Sequence, residues 1–240
     1  MVTVLLVHGL AASKKQWQPL IPYLNDVNVI NFELPGHGET NSMQFDWVNT
    51  ISTLHSLLPK SGNIIYVLHS FAASFLPEIA KITKKNDKII LLEGIIHIDD
   101  AKWTQSPAFH NESLYENWLK KFRLGGRITL KSQLIKKHKK SDIDLWSKGF
   151  TEVNGNAIKN YSRKFIERLQ TLEISSTLEE YSELIIYIRG EKSNLSHSCI
   201  ETIKQSRIPL YTISESSHFP MLDNPKDLYV IIKNVLREVS

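Results

Sequence analysis

An α/β fold is predicted for this 240-residue chain, with a mostly parallel sheet of about six strands, helices on both faces and an inserted helical segment. Short apolar runs alternate with helical patterns in residues 1–97 and again in 184–240, and such alternation is typical of parallel sheets. Between them, residues 98–183 contain helical patterns and no clear strand. The predicted domains are therefore a core formed by 1–97 and 184–240, and a helical cap, or lid, at 98–183.

The N-terminal part alternates four predicted strands with three predicted helices. The strands are the apolar runs at residues 2–7, 27–34, 64–68 and 88–93. The first helix follows Ser13 as its cap and has four apolar residues at helical spacing, Trp17, Leu20, Ile21 and Leu24. The second covers 45–58, with one apolar face formed by Trp47, Val48, Ile51, Leu54 and Leu58. The third runs from the end of strand 64–68 through about Lys84, and Pro77 inside it is expected to bend it.

Helical patterns replace strands in the middle of the chain, over about 113–123, 128–139 and 157–172. A strongly basic stretch at 131–140 is interpreted as a solvated helix face, with a docking or anionic-substrate surface as the alternative. The alternation then resumes with strands at 184–188 and 208–213 and a helix at 198–205. Asn224 followed by Pro225 predicts the start of a last helix.

Composition and charge argue against several classes of protein. The longest apolar runs have the length of strands, so no membrane span is predicted, and the N-terminus lacks the features of a signal peptide. The single Cys199 cannot form an internal disulfide, which favours a reducing compartment, and a cytoplasmic protein is expected. A formal net charge of +4 gives little support for a nucleic-acid partner, and none is predicted. No metal-ligand spacing is present, so neither a metal nor an organic cofactor is expected. The sequence leaves the oligomeric state open.

Ser70 stands where a buried strand changes abruptly into a helix. Five apolar residues, 64–68, lead into His69 and Ser70, and small residues follow. This position presents the hydroxyl at the carboxyl end of a sheet, beside a helix N-terminus whose free N–H groups can hold an oxyanion. The pattern predicts a nucleophile, with a serine that merely caps a helix as the alternative. Leu68 departs from the Gly-x-Ser-x-Gly pattern, in which a small residue at this position lets helix and strand approach closely.

The chain resembles the α/β-hydrolase superfamily over nearly its full length, and four segments carry the resemblance. Residues 4–10, with Ser13 and Trp17, are similar to its oxyanion strand and loop, and residues 33–40 to its Asp-Leu-Pro-Gly-His-Gly-x-Ser turn. Residues 67–72 resemble its nucleophile elbow, and 217–225 resemble the segment that carries its catalytic histidine. The resemblance implies an α/β-hydrolase fold that lacks the family's first two strands and has residues 98–183 as its cap.

The same resemblance implies a role for each site residue. Ser70 is implied as the nucleophile, and His218 as the general base that takes its proton. The backbone N–H groups of Leu10 and Phe71 are implied as the oxyanion hole. The other histidines of these motifs are interpreted as structural, namely His8, His37 and His69.

The triad acid is the main departure from the family pattern. The family usually has an Asp three residues after the Gly that ends the fifth strand, and here that position is Ser193, whose neutral hydroxyl stabilises an imidazolium poorly. Some branches place the acid at the end of the fourth strand, where this chain has Glu93. A carboxylate at an apolar strand end needs a partner, so Glu93 is predicted to be the acid that pairs with His218. The alternatives are another carboxylate, among Glu191, Asp99 and Asp100, or no acid at all.

These residues predict a lid-bearing serine hydrolase of a small carboxylic ester, thioester or lactone, acting through an acyl-enzyme on Ser70. Carbon–carbon bond hydrolases and lyases that use the same serine–histidine pair are alternatives. Another alternative is a catalytically weak small-molecule receptor built on this fold. Leu68 and Ser193 favour the receptor, whereas the pair of Ser70 and His218 favours the enzyme.

Overall fold

Six parallel strands form the sheet in the computed structural model, which describes residues 1–239. The strands are β1 Thr3–Val7, β2 Asn28–Phe32, β3 Ile64–His69, β4 Lys88–Leu92, β5 Ile185–Gly190 and β6 Leu210–Ile213. Their order across the sheet is β2-β1-β3-β4-β5-β6, and each neighbouring pair is parallel. The predicted α/β class and parallel sheet are confirmed. Ser240, the last residue of the predicted core segment 184–240, lies outside the described residues.

Alternate residues of the strands enter two separate apolar clusters, one on each face of the sheet. Leu5, Tyr66 and Leu91 belong to the first cluster, and Leu6, Val67 and Ile90 to the second. Because successive side chains of a strand point to opposite faces, strands buried on both sides read as continuous apolar runs. The helices that cover the two faces therefore account for the uninterrupted apolar runs of the sequence.

Ten α-helices accompany the sheet in the described residues. They are α1 Trp47–Leu57, α2 Leu76–Ile82, α3 Lys102–Phe109, α4 Glu112–Ser132, α5 Lys140–Glu152, α6 Gly155–Gln170, α7 Glu173–Glu180, α8 His197–Gln205, α9 Pro220–Asp223 and α10 Pro225–Val239. Helices α3 to α7 all lie between β4 and β5 in the chain, which agrees with the predicted helical insertion. Within residues 1–239, no helix combines the length and apolarity needed to cross a bilayer.

Two predicted helices near the N-terminal strands are wrong in form. The segment after Ser13 makes two short 3-10 turns, Lys14–Trp17 and Ile21–Tyr23, and the Ser13 side chain does not cap the first of them. Ser70–Phe75 is also a 3-10 helix, and α2 begins only at Leu76. Pro77 therefore lies in the first turn of α2 instead of bending a longer helix, and its missing N–H costs nothing at that position.

The helix predicted at 45–58 is present as α1, capped by the Asp46 carboxylate, which accepts from the Asn49 N–H at 2.7 Å. Val48 was expected on its buried face, but 71% of Val48 is exposed. The buried face is instead centred on Ile51 and Leu54. Val48 is adjacent in sequence to Trp47 and so lies about 100° away around the helix.

The basic stretch 131–140 is not the face of one helix, contrary to the prediction. Helix α4 ends at Ser132 and α5 begins at Lys140, so the residues between them are not helical. The N–H groups of Ile135 and Lys136 donate to the Asp223 carboxylate at 3.0 and 3.1 Å. Asp223 is buried in α9, and satisfying its charge with backbone donors from this connection stabilises a loop where the sequence pattern favoured helix.

Asp87, which directly precedes β4, provides a test of the contacts at the amino ends of the central strands. Its carboxylate is fully buried and accepts from the N–H of Ile64 at 2.7 Å and that of Lys84 at 2.8 Å. Asp87→Ala should lower the free energy of unfolding by about 2–3 kcal/mol, because two backbone donors lose a charged acceptor. Asp87→Asn keeps one acceptor oxygen and should lose less. Urea denaturation of the three proteins checks this, and equal stability of Asp87→Ala and wild type would contradict it.

Candidate active site

The order of the strands places the candidate site at the carboxyl edge of the sheet. The chain passes from β1 out to β2 and then returns to β3 on the other side of β1. Such a reversal leaves a crevice at the carboxyl ends of the two strands on either side of it. Gly9 and Leu10 follow β1, and Ser70 follows β3, so both segments lie at this crevice.

Ser70 has an unusual backbone conformation. Its φ is +56°, in the left-handed region that a residue with a side chain rarely adopts, and its carbonyl accepts from the Ile95 N–H at 3.1 Å. Ser70 is only 4% exposed, yet it lines a cavity. A sharp strand-to-helix turn of this kind presents the hydroxyl above the sheet, as the nucleophile elbow requires. Leu68, the departure in the elbow pattern, is fully buried in β3 and packs in the first apolar cluster.

The His218 imidazole lies beside Ser70. Its Nε2 is 2.9 Å from Ser70 Oγ, and its Nδ1 is 3.4 Å from Oε2 of Glu93. Glu93 is fully buried and has a left-handed φ of +52°, at the turn directly after β4. The structure thus brings together the three side chains predicted for the triad, in the order serine, imidazole, carboxylate.

The other carboxylates considered for the triad are engaged elsewhere. Glu191 is nearly half exposed, lies 3.6 Å from the Lys192 amine and accepts from the Glu215 N–H at 3.3 Å. Asp99 accepts from the Ser198 hydroxyl at 2.7 Å, and Asp100 lines the cavity but is bonded to the N–H and hydroxyl of Ser196. Of these four carboxylates, Glu93 is the one that contacts the imidazole of His218.

The predicted oxyanion-hole residues follow the neighbouring strands β1 and β3. Leu10 lines the cavity, and Phe71 is the residue that follows Ser70 in the first turn of the 3-10 helix, where N–H groups have no intrahelical acceptor. Gly9 lets the segment after β1 lie close to the Ser70 elbow, since a Cβ at this position would lie 3.0 Å from His69 Nδ1 and 3.2 Å from Ser70 Cβ.

His69 supports the loop that carries His218. It is fully buried, with Nε2 2.8 Å from the His218 carbonyl oxygen and Nδ1 3.2 Å from Gln16 Nε2. Burial, reinforced by the nearby His218, holds the pKa of His69 well below its usual range. A neutral ring satisfies both contacts, with Nε2–H donating to the carbonyl and Nδ1 accepting from the Gln16 amide.

His8 and His37 link the residues that follow β1 to those that follow β2. The His37 Nε2 accepts from the Ala11 N–H at 3.0 Å, and the His8 Nε2 lies 2.9 Å from the Glu33 carboxylate. Burial is the main cause that lowers the pKa of His37 to about 3. Burial alone would raise the pKa of Glu33, but the hydrogen bond and charge of His8 lower it overall. These contacts agree with the structural interpretation of the motif histidines.

Aromatic side chains from the helical insertion form much of the cavity wall. The cavity has a volume of about 460 Å³. The Phe122 ring is nearly parallel to those of Trp103 and Trp118, with centroids 5.8 and 5.0 Å away. Phe150 and Phe219 also line the cavity. Sequence reasoning did not assign these aromatic residues to the site. The spacing of Trp118 and Phe122 on one helix face was a signal, but nothing in it indicates which surface that face covers.

The comparisons with known proteins agree with this architecture. A sequence model of the alpha/beta hydrolase family matches residues 4–230. The chain belongs to the alpha/beta hydrolase family. No match is found among the curated proteins.

Solved structures of other alpha/beta hydrolase-like proteins share the fold at low sequence identity. A carboxylesterase from Nitrososphaera gargenis is 20% identical with a TM-score of 0.67, over 99% of this chain and 90% of that one. A thermophilic esterase from Thermogutta terrifontis is 18% identical with a TM-score of 0.70, over 100% and 90% of the two chains. A serine hydrolase involved in carbazole degradation is 14% identical with a TM-score of 0.69, over 99% and 91%.

The buried histidines of this hydrolase predict how its stability depends on pH. The unfolded chain protonates His37 near its ordinary pKa of 6.5, whereas the folded chain does so only near 3. The contribution of neutral His37 to the free energy of unfolding is therefore fully present above pH 6.5. It is lost as the pH falls from 6.5 toward 3, by about 1.4 kcal/mol per pH unit. His69, whose pKa is also lowered, adds to the loss in the same direction. Urea denaturation at pH 7, 6 and 5 should show a steep fall in the free energy of unfolding.

A His37→Gln variant controls for the other titrating groups. It removes one of the two buried imidazoles whose pKa is lowered, so its stability should fall less steeply over the same range, whatever its stability at pH 7. Parallel pH dependence of the variant and wild type would contradict the assignment.

Proposed function

We propose that this protein is a serine esterase that hydrolyses a small carboxylic ester, thioester or lactone in the cytoplasm. The observation that carries the proposal is the continuous line from Ser70 Oγ to His218 Nε2 and from His218 Nδ1 to Glu93 Oε2, at the floor of a cavity. Membership of the alpha/beta hydrolase family and fold similarity to esterases support it. The free, buried Cys199 agrees with a reducing compartment.

The mechanism follows from the positions of these atoms. His218 Nε2 accepts the Ser70 proton as Oγ attacks the substrate carbonyl, and later returns it to the leaving group. The N–H groups of Leu10 and Phe71 hold the oxyanion of the tetrahedral intermediate. Glu93 faces Nδ1 and stabilises the imidazolium that forms. Water activated by the same imidazole then hydrolyses the acyl-enzyme.

The helical insertion, residues 98–183, acts as the cap of this proposed site. Its rings at Trp103, Trp118 and Phe122 lie on the cavity wall, whereas the triad residues lie in the segments that follow β3, β4 and β6. An apolar wall excludes water from the carbonyl and strengthens the electrostatic interactions around it. The shape of the cap therefore determines which substrates fit the cavity, and the residues at the carboxyl edge of the sheet carry out the reaction.

Ser70 is tested by covalent labelling with a fluorophosphonate probe. Wild type should label and hydrolyse short-chain nitrophenyl esters, and Ser70→Ala should lose labelling and at least about 10³-fold of the esterase rate, because no other oxygen accepts the acyl group. Ser74→Ala is the matched control, since this buried hydroxyl lies in the same 3-10 helix without a partner. Folded wild type that neither labels nor hydrolyses would contradict the esterase and favour a small-molecule receptor on the same fold.

Glu93 is tested by Glu93→Gln, which keeps the shape of the side chain and removes its charge. The esterase kcat should fall by about 10²- to 10⁴-fold, because the imidazolium loses its counter-charge and the imidazole tautomer is no longer fixed. Glu191→Gln neutralises the exposed alternative acid and should keep the wild-type rate. A large loss in Glu191→Gln with none in Glu93→Gln would reverse the assignment, and thermal denaturation of each variant checks folding.

A further inference from the structure

The Glu93 carboxylate has two oxygens and three donors around it. Oε1 accepts from the Gly190 N–H at 2.5 Å. Oε2 accepts from the Ser193 hydroxyl at 2.5 Å and faces His218 Nδ1 at 3.4 Å. Oε2, the oxygen that faces the imidazole, is therefore also the one that accepts from the Ser193 hydroxyl.

We propose that Ser193 is a positioning residue, whose hydroxyl fixes the Glu93 carboxylate so that Oε2 stays directed at His218. The inference rests on the proposed function and extends it to a residue that forms no hydrogen bond with Ser70 in the described structure. The Gly190 N–H holds only one carboxylate oxygen, and rotation about the last side-chain bond would leave the other free to move. A second bond, from Ser193, fixes the plane of the carboxylate.

The backbone around Ser193 is held from several directions, so its hydroxyl is in place before substrate binds. The Ser193 N–H donates to the Gly190 carbonyl at 3.1 Å, which closes a turn directly after β5. The Arg189 guanidinium donates to the Ser193 carbonyl at 3.1 Å. The Lys192 N–H donates to the Ser216 carbonyl at 2.9 Å, which joins this turn to the loop that carries His218.

The division of work between the two residues follows from charge and burial. Glu93 supplies the negative charge that stabilises an imidazolium, which a hydroxyl cannot do. Because Glu93 is fully buried, its charge is costly unless each oxygen receives a donor. Ser193 supplies that donor without adding a charge. When His218 is neutral, the hydroxyl bond satisfies Oε2, and when His218 is protonated, the same oxygen is already aimed at Nδ1.

The experiment compares Ser193→Ala and Ser193→Thr with wild type, using hydrolysis of a nitrophenyl ester. Ser193→Ala should lower kcat about tenfold with KM within about twofold, as expected for loss of one hydrogen bond to a charged group. Ser193→Thr retains a hydroxyl and should recover most of kcat. Ser198→Ala is the matched control, because Ser198 makes the same kind of bond to a carboxylate, Asp99, at 2.7 Å outside the cavity. It should keep both constants.

A second readout does not depend on turnover. The Nδ1 proton of His218 should give a downfield resonance in proton NMR, identified by its loss in His218→Gln. Ser193→Ala should shift or broaden this resonance, because the carboxylate that accepts it is no longer fixed, and Ser193→Thr should restore it. An unchanged resonance and kcat in Ser193→Ala would overturn the inference, as would equal impairment in Ser193→Ala and Ser193→Thr.

The two readouts separate the inference from the proposed function. Wild type that labels and hydrolyses esters, with Ser193→Ala indistinguishable from it, would overturn the positioning role and leave the esterase standing. Wild type without turnover or labelling would overturn the esterase, while the effect of Ser193→Ala on the His218 resonance would still decide whether Ser193 positions Glu93.

Discussion

The buried charge of Glu93 is the constraint on which the arrangement of this site depends. A carboxylate without access to water is stable only where donors or a counter-charge surround it. Here the donors come from the end of β5, through the Gly190 N–H, and from the turn after it, through the Ser193 hydroxyl. Gly190 has no room for a side chain, because a Cβ there would lie 2.4 Å from the Ser217 carbonyl oxygen. The same packing thus holds the carboxylate, the end of β5 and the loop that carries His218.

Backbone strain is concentrated at the same edge of the sheet. Ser70 and Glu93 follow adjacent strands, and both have φ in the left-handed region, at +56° and +52°. Such a conformation costs a residue with a side chain about 1–2 kcal/mol, so it persists only where the surroundings fix it. The surroundings here are strands buried on both faces. The rigid sheet therefore holds two strained strand ends. Their left-handed φ directs the Ser70 and Glu93 side chains where an unstrained turn would not.

The helical insertion and the sheet differ in what they contribute. The sheet supplies fixed strand ends, and with them the relative positions of Ser70, Glu93 and His218. The insertion supplies the aromatic wall, together with the connection between α4 and α5 that is bonded to Asp223 in α9. Because α9 directly follows His218 and Phe219, the insertion is joined to the loop of the proposed general base as well as lining the cavity.

The sequence by itself determined the strands, their parallel arrangement and the residues at their carboxyl ends, because apolar periodicity and local motifs record which segments are buried on both faces. It also singled out Ser70 by its place at a strand end, and His218 and Glu93 by the resemblance of their segments to the α/β-hydrolase pattern. Tertiary structure alone decided the rest. The loop at 133–139 depends on Asp223, a distant partner that no local pattern contains. The bond from Ser193 to Glu93 joins residues 100 positions apart, so only the folded sheet, which brings the ends of β4 and β5 together, could show it.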